Sequence, residues 1–227
     1  IYQKKEHRKH IYDLPDTYIG SAVQTTLQDA WVIENDNIIQ KEIKYVPGLY
    51  KIFDEVLTNA SDHKVRSDAQ KKSGKDIHPV KNLKIFIDDE KISIENDGNG
   101  IDVEMHEKEH VYVPEMIFGQ LLTSTNYSKE DKTWGGKNGY GAKLANIFSE
   151  EFTVETVDSE RNKKYVQTWN DNMTKRGTPK ITKYSRASYT KITFKPELKR
   201  FGLKAMDDTK SMMERRVYDM VGLFGDE

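Results

Sequence analysis

The chain has no cysteine among its 227 residues, so neither a disulfide framework nor a cysteine-ligated zinc site can form. It also lacks an apolar run long enough to cross a bilayer and a signal-peptide pattern, which predicts a soluble, intracellular protein with no membrane partner. An excess of one charge is missing as well, because 36 basic and 37 acidic side chains leave a formal net charge of −1. The composition therefore gives no sign of a globally basic nucleic-acid groove.

The most informative segment that is present runs from Gly135 to Lys143 and reads Gly-Gly-Lys-Asn-Gly-Tyr-Gly-Ala-Lys, directly before an apolar run. Glycine lets backbone N–H groups approach a ligand closely, and the N-terminus of a helix adds partial positive charge. The segment therefore suits a polyphosphate, with Lys143 as a point charge. It is not a P-loop, which ends in Gly-Lys-Ser/Thr, and it lacks the dinucleotide motif's glycine three residues after Gly141.

A second informative segment carries a carboxylate and an amide at helical spacing. Its apolar periodicity predicts an amphipathic helix over residues 48–66, followed by a surface loop over residues 67–82. Glu55 and Asn59 then share one face, and His63 lies one turn further along. This pair can orient a water molecule and hold a hard cation, whereas a solvated polar stripe is the plainer interpretation.

A third segment ends a predicted hairpin of strands near residues 83–88 and 91–96 in an Asp97-Gly98 turn. Its functional interpretation is a buried Asp97 carboxylate that accepts a hydrogen bond from an exocyclic amine. The remaining predicted elements are a helix near 114–122, strands near 151–157, 163–170 and 190–195, and a last helix capped by Asp207 or Asp208 with an apolar stripe of Met213, Val217, Met220, Val221 and Phe224.

Two metal motifs occur in unsuitable surroundings. His106 and His110 fit the His-Glu-x-x-His pattern of zinc proteases, but the segment is charged throughout and has no apolar face, so we interpret it as a solvated loop. The segment from Glu95 resembles the first half of an EF-hand loop. Its twelfth position is His106 rather than glutamate, which argues against a calcium site.

Taken in order, the Glu…Asn helix, Asp-Gly-x-Gly and the glycine loop resemble the nucleotide fold of gyrase-type topoisomerases, Hsp90-type chaperones, sensor histidine kinases and MutL-type repair proteins. Within that superfamily, short sequence motifs spaced along the whole chain look like those of the eukaryotic type II DNA topoisomerase family. They include Tyr-Gln-Lys-Lys from Tyr2, Pro-Asp-Thr-Tyr-Ile-Gly-Ser from Pro15, Phe-Gly-Gln-Leu-Leu-Thr-Ser from Phe118, and the segment from Asn138 to Ser149.

The resemblance implies an α+β Bergerat (GHKL) fold, in which a mixed β-sheet carries helices on one face. Residues 1–20, which show no core-facing pattern, are expected to form an N-terminal dimer-exchange arm, and residues 21–227 the ATPase domain. By the same resemblance, the family's downstream transducer, metal-binding and DNA-cleavage modules are expected to be missing from this chain. The chain is therefore expected to be an excised ATPase domain that hydrolyses ATP slowly.

The same resemblance implies ATP and Mg²⁺ as ligands. Glu55 matches the general base that activates water, and Asn59 matches the asparagine that coordinates Mg²⁺. Asp97 lies where the family reads adenine, a position that is commonly asparagine in eukaryotic members, and Thr190 matches a threonine that supports it. His63 stands where the family generally has an asparagine that contacts phosphate.

The other implied nucleotide contacts lie around the glycine loop. A polar triplet that touches the ribose and phosphates is Ser124, Thr125 and Asn126. Backbone amides that cradle the β- and γ-phosphates belong to Gly136, Lys137, Asn138, Gly139, Tyr140, Gly141, Ala142 and Lys143. Lys137 replaces the family's usual arginine, which keeps the charge but loses the planar fork.

Tyr2 matches an arm residue that crosses to the partner subunit and closes over its ATP. The resemblance therefore implies a homodimer that forms through the arm on ATP binding, and double-stranded DNA as the partner of the full-length enzyme. The expected location is the nucleus for a cellular member, or a host nucleus, cytoplasmic replication site or virion for a viral one. An ATP-driven protein clamp of the chaperone or mismatch-repair type is the alternative function.

Overall fold

Strand pairing in the computed structural model, which describes residues 6–121 and 141–224, forms a two-stranded and a seven-stranded sheet. The strands are β1 (Thr25–Glu34), β2 (Asn37–Tyr45), β3 (Leu83–Ile87), β4 (Ile92–Asp97), β5 (Ser149–Asp158), β6 (Lys163–Asn170), β7 (Lys175–Arg176), β8 (Lys180–Lys183) and β9 (Tyr189–Pro196). The helices are α1 (His7–Asp13), α2 (Pro15–Tyr18), α3 (Pro47–Lys72), α4 (Val113–Gly119), α5 (Gly141–Ile147), α6 (Asp207–Asp219) and α7 (Val221–Phe224), with a 3₁₀ turn at Leu198–Phe201.

The large sheet has the strand order β3-β4-β9-β5-β6-β7, and β8 also pairs with β6. All of the pairs formed by the described residues are antiparallel, whereas a mixed sheet was expected. Burial alternates along β4 and β9, so one face of the sheet is covered and the other is more open. The covered face packs against apolar residues of α3 and α5 in one core, as the predicted helix layer requires.

Helix α3 is longer than the periodicity predicted. It continues to Lys72, so the predicted loop over residues 67–82 is wrong for its first six positions. Ser67 is 2% exposed, and its hydroxyl accepts a hydrogen bond from the backbone N–H of Val80 at 3.1 Å. This tertiary contact holds a polar helical turn that has no apolar periodicity of its own, and the helix ends just before Gly74.

Hairpin β1–β2 was not predicted. Its two-residue turn is formed by Asn35 and Asp36, whose φ angles of 51° and 60° give the left-handed turn that matches the strand twist. The inward residues Ala30, Val32 and Ile43 form a small second core with Met212 of α6. The hairpin therefore packs on a helix instead of joining the large sheet.

The N-terminal segment is built into the core from α1 onward. Ile11 is 0% and Ile19 3% exposed, so the expectation that residues 1–20 lack core-facing residues is wrong for these two. Two buried residues, one in α1 and one just after α2, give no periodicity to detect. Tyr12 fastens α1 further, since its hydroxyl donates to Oε2 of Glu197 at 2.8 Å and its carbonyl oxygen accepts from Arg200 at 2.9 Å.

At the C-terminal end, α6 begins at Asp207, but neither predicted aspartate caps it through its side chain. The Asp208 carboxylate instead accepts from the backbone N–H of Lys44 at 3.0 Å, which ties α6 to β2. Met213 and Met220 of the predicted stripe are buried, whereas Val221 is 61% exposed. The stripe is therefore wrong at Val221, which belongs to the separate short helix α7.

Residues His106 to His110 form a turn closed by the backbone N–H of His106 and the carbonyl oxygen of Val111 at 2.8 Å. The residues from Glu107 to His110 are exposed, which confirms the solvated loop. None of the helices in the described ranges is long and apolar enough to cross a membrane.

Candidate functional site

The end of the glycine loop meets helix α3 at Glu55 and Asn59. A Cβ placed on Gly141 would overlap Oε2 of Glu55 and lie 3.5 Å from Nδ2 of Asn59. Any other residue at the start of α5 would displace the Glu55 carboxylate, and the glycine backbone lies directly against both side chains. The other carboxylate oxygen of Glu55 pairs with Nζ of Lys51, one turn earlier, at 2.5 Å. Three of the predicted site residues are thus brought together.

A polar row crosses the covered face of the sheet beside α3. Asn96 on β4 pairs with Thr190 on β9, which pairs with Thr156 on β5. They are 5%, 8% and 0% exposed, and the two threonine hydroxyls lie 2.9 Å apart in a hydrogen bond. The predicted Thr190 therefore lies opposite Asn96, a residue that the sequence reasoning did not select.

Asp97 lies on the other face of β4, because neighbouring residues of a strand point in opposite directions. Its Oδ1 accepts from the backbone N–H groups of Lys81 and Asn82 at 2.7 and 2.8 Å, and its Oδ2 accepts from the Asn82 side chain at 2.7 Å. Burial raises the pKa of Asp97, but hydrogen bonds from Asn82 and Lys81 outweigh it and the net shift is downward. The prediction that Asp97 reads a base does not fit this geometry, in which the carboxylate closes the segment before β3.

His63 lies between α3 and the polar row. Its Nδ1 is 3.0 Å from Nδ2 of Asn96, and the same Nδ2 donates to the carbonyl oxygen of Asp97 at 2.8 Å. Burial, with a smaller contribution from the charge of Arg66, lowers the pKa of His63 to about 4, and Asp97 opposes this shift only in part. The imidazole is therefore neutral at physiological pH, and in this neutral form it shares a hydrogen bond with Asn96.

The lowered pKa of His63 predicts that the free energy of unfolding rises as the pH is raised from 4 to 6.5. The unfolded chain binds more protons in this window, because its histidine has a pKa near 6.5 and that of the folded chain is about 4. The contribution of neutral His63 is therefore present above pH 6.5 and is lost as the pH falls towards 4, by up to about 3 kcal/mol. Urea unfolding at pH 7 and pH 5 should show a smaller change for His63→Gln than for the unchanged protein, and equal changes would contradict this prediction.

Lys143 is a buried cation on the third residue of α5. It is 6% exposed, and burial lowers the pKa of its ammonium group to about 8. Within residues 6–121 and 141–224, only burial contributes to this shift, and no ion pair to Lys143 is formed. Burying an ammonium group is costly unless an anion compensates its charge, and a phosphate is an anion of the right kind. Ala142 beside it is 7% exposed and belongs to the apolar core, so only its backbone is available to a ligand.

Several predicted site residues lie outside the described residues and stay predictions. They are Tyr2, Ser124, Thr125, Asn126, Gly136, Lys137, Asn138, Gly139 and Tyr140.

The oxygen of Asn59 fits a magnesium ion that arrives with its ligand. Across the described parts of the chain, no three His, Asp or Glu side chains are grouped so that they could hold a metal by themselves. Mg²⁺ is usually bound through one or two protein oxygens, several waters and the phosphates of a substrate. One amide oxygen, a helical turn from Glu55, is compatible with that mode.

Comparison with known proteins defines the class. Residues 45–200 match the family model described as histidine kinase-, DNA gyrase B-, and HSP90-like ATPase, and the chain belongs to this family. The match confirms the predicted Bergerat fold. The ATPase domain of Thermus thermophilus gyrase B has the same fold, with a TM-score of 0.64 at 18% identity over 94% of this chain and 45% of that one.

Within the family, the chain is similar to DNA topoisomerase 2, which confirms the resemblance drawn from its motifs. The enzymes of Candida glabrata and Saccharomyces cerevisiae are each 51% identical over 226 residues, and that of Acanthamoeba polyphaga mimivirus is 50% identical over 229. These alignments cover 97%, 97% and 96% of this chain but 15%, 15% and 17% of the relatives. The chain therefore spans about a sixth of the length of the curated relatives that it matches.

The solved structures agree. The ATPase region of Saccharomyces cerevisiae topoisomerase II superposes with a TM-score of 0.83 at 48% identity, over 96% of this chain and 57% of that one. The ATPase and transducer domains of topoisomerase II from Balamuthia mandrillaris give 0.85 at 45% identity, over 97% and 56%.

Proposed function

We propose that this chain binds and hydrolyses ATP as the gate domain of a type II DNA topoisomerase. The observation that carries the proposal is the packing of Gly141 against Glu55 and Asn59. It unites a carboxylate, an amide and the start of a helix at one point, within a family of ATPases. The similarity to DNA topoisomerase 2 supports this class of enzyme over a chaperone or mismatch-repair clamp.

In the proposed mechanism Glu55 accepts a proton from the water that attacks the γ-phosphate. Its carboxylate lies beside the loop end that would hold the phosphates, and Lys51 balances its charge. Asn59 would hold Mg²⁺, which when bound neutralises the charge that develops on the phosphate oxygens. Lys143 supplies a positive charge that burial keeps out of contact with water.

Adenine recognition falls to Asn96 in this proposal, and not to Asp97. Both hydrogens of the Asn96 amide are donated, to Asp97 and His63, which leaves Oδ1 to accept from the 6-amino group of adenine. Thr190 and Thr156 extend the polar row next to it. The carboxylate of Asp97 has three donors already and faces away.

At the level of the whole enzyme, we propose that ATP binding pairs two such domains through the N-terminal arm, with Tyr2 reaching the partner's nucleotide. Closure would then capture a segment of double-stranded DNA, driven by the higher affinity of ATP for the closed state. We propose the nucleus as the location of a cellular enzyme, and the host nucleus, a cytoplasmic replication site or the virion as that of a viral one.

Calorimetric titration with a non-hydrolysable ATP analogue and Mg²⁺, followed by light scattering, tests the proposal. Binding should be saturable and accompanied by a shift to dimer mass. Asn96→Ala and Asn59→Ala should each weaken it, whereas Asp97→Asn should bind with nearly unchanged affinity and unfold more easily. If Asp97→Asn lost binding while Asn96→Ala bound fully, adenine recognition would be assigned to Asp97 instead. If the unchanged protein did not bind the analogue, the proposed ATP site would be refuted.

The buried ammonium predicts that nucleotide affinity falls at alkaline pH. Lys143 in the free protein loses its proton near pH 8, while a bound polyphosphate favours the charged form, so binding takes up a proton above that value. The dissociation constant should rise from pH 8 to pH 9 by up to about tenfold. Lys143→Arg, which keeps its charge over this range, should show almost no rise, and an equal rise in both proteins would assign the effect to another group.

A further inference from the structure

The contact between His63 and Asn96 determines which atoms of the two side chains face each other. Nδ2 of Asn96 lies 2.8 Å from the carbonyl oxygen of Asp97, and a carbonyl oxygen can only accept hydrogen bonds. The amide atom at this position must therefore be the NH₂ group. The same NH₂ group lies 3.0 Å from Nδ1 of His63, so that nitrogen must be the acceptor.

The protonation state of the ring follows from this assignment. A neutral imidazole has one N–H, and with Nδ1 accepting, the proton belongs on Nε2. Burial keeps His63 in the neutral form at ordinary pH. The second hydrogen of the Asn96 amide thus depends on His63 for its acceptor. Because Asn96 is 5% exposed, water cannot readily take over that place.

We propose, on the basis of the function proposed above, that His63 is a positioning residue for base selectivity. By accepting from Nδ2 of Asn96, it holds Oδ1 towards the ligand as a fixed acceptor. This acceptor matches the 6-amino group of adenine and opposes the 6-oxo group of hypoxanthine or guanine, where two acceptors would meet. Without the ring nitrogen, one hydrogen of the Asn96 amide has no acceptor, and rotation of the amide away from the ligand becomes more favourable.

Two acceptors therefore hold the Asn96 amide in this orientation, the backbone carbonyl of Asp97 and the side chain of His63. The carbonyl oxygen of Asp97 cannot be removed by mutation, so part of the orientation persists in any variant. His63 supplies the half that substitution can change. A moderate change in selectivity, and not a complete loss, is the effect that this arrangement predicts.

The test compares ADP with IDP, which differ in having an amino or an oxo group at position 6 and are not substrates for hydrolysis. Calorimetry with Mg²⁺ should show tighter binding of ADP by the unchanged chain. His63→Leu should reduce the preference for ADP over IDP by roughly fivefold, the equivalent of one hydrogen bond, mainly through weaker ADP binding. His63→Gln, which retains a carbonyl acceptor, should recover most of the preference. The exposed His78, whose own hydrogen bonds involve its backbone, provides the control substitution His78→Leu.

Nitrogen-15 spectra of the histidine rings provide a second measurement that needs no ligand. They should show His63 as the Nε2–H tautomer, and an Nδ1–H tautomer would overturn the proposal. Because the spectra are taken on the unchanged protein, they test the proposal even if His63→Leu does not fold. An unchanged preference in a folded His63→Leu protein would also overturn it. If neither diphosphate nor the ATP analogue binds the unchanged protein, the proposed ATP site fails, and the tautomer then still decides whether the His63–Asn96 bond exists.

Discussion

The Glu55→Gln variant is expected to bind ATP but to hydrolyse it at least 100-fold more slowly. The amide keeps the shape of the side chain and its place beside Gly141, but it cannot accept a proton from water. Loss of a general base typically costs about 10²- to 10⁴-fold in rate. Steady-state phosphate release, together with calorimetric binding of the ATP analogue, measures the two properties separately.

A matched control lies on the same helix. Asp62 is exposed, and Asp62→Asn makes the same change of charge and hydrogen-bonding character about two helical turns beyond Glu55. Its rate should stay close to that of the unchanged protein. A Glu55→Gln rate within a few fold of that control would show that another group activates the water.

The largest effect on stability is expected for Gly100→Ala. A Cβ at this position would overlap the carbonyl oxygen of Val157 and lie 2.6 Å from its carbonyl carbon, and backbone atoms of β5 cannot move aside as a side chain can. We expect a loss of about 3 kcal/mol or more in the free energy of unfolding, at the upper end for overpacked sites. Nucleotide binding should weaken too, because the N–H of Ile101 donates to Thr156, a member of the polar row, at 2.9 Å.

Urea unfolding of Gly222→Ala provides the comparison. A Cβ on Gly222 meets no atom within 4 Å, and alanine favours the helical backbone of α7. This variant should be as stable as the unchanged protein or slightly more so. If Gly100→Ala were equally harmless, the segment after β4 would have to lie further from β5 than the structure places it.

Helical periodicity was sufficient to place Glu55 and Asn59 on one face, because a long helix against a sheet repeats its buried positions several times. For the adenine-reading residue, the sequence predicts Asp97, whereas our proposal assigns that role to Asn96, one residue earlier on β4. In a strand that step moves a side chain to the opposite face, and a turn motif does not reveal which face is covered. Only the pairing of β4 with β9, and of Asn96 with Thr190, determines it.

Other differences have the same origin in contacts between distant segments. The last turns of α3 depend on Val80, and hairpin β1–β2 depends on α6. Neither partner can be found from the local sequence. The strands that were predicted correctly, such as β5 and β6, alternate strongly enough to be found without knowledge of their neighbours.

The burial of Ile11 sets a mechanical boundary for any exchange of arms between subunits. If α1 travelled with the arm, Ile11 would enter water at a cost of about 2–3 kcal/mol per subunit, before the bonds of Tyr12 to Glu197 and Arg200 were counted. In the exchange proposed above, the pivot would therefore lie ahead of His7, and α1 would stay packed on its own domain.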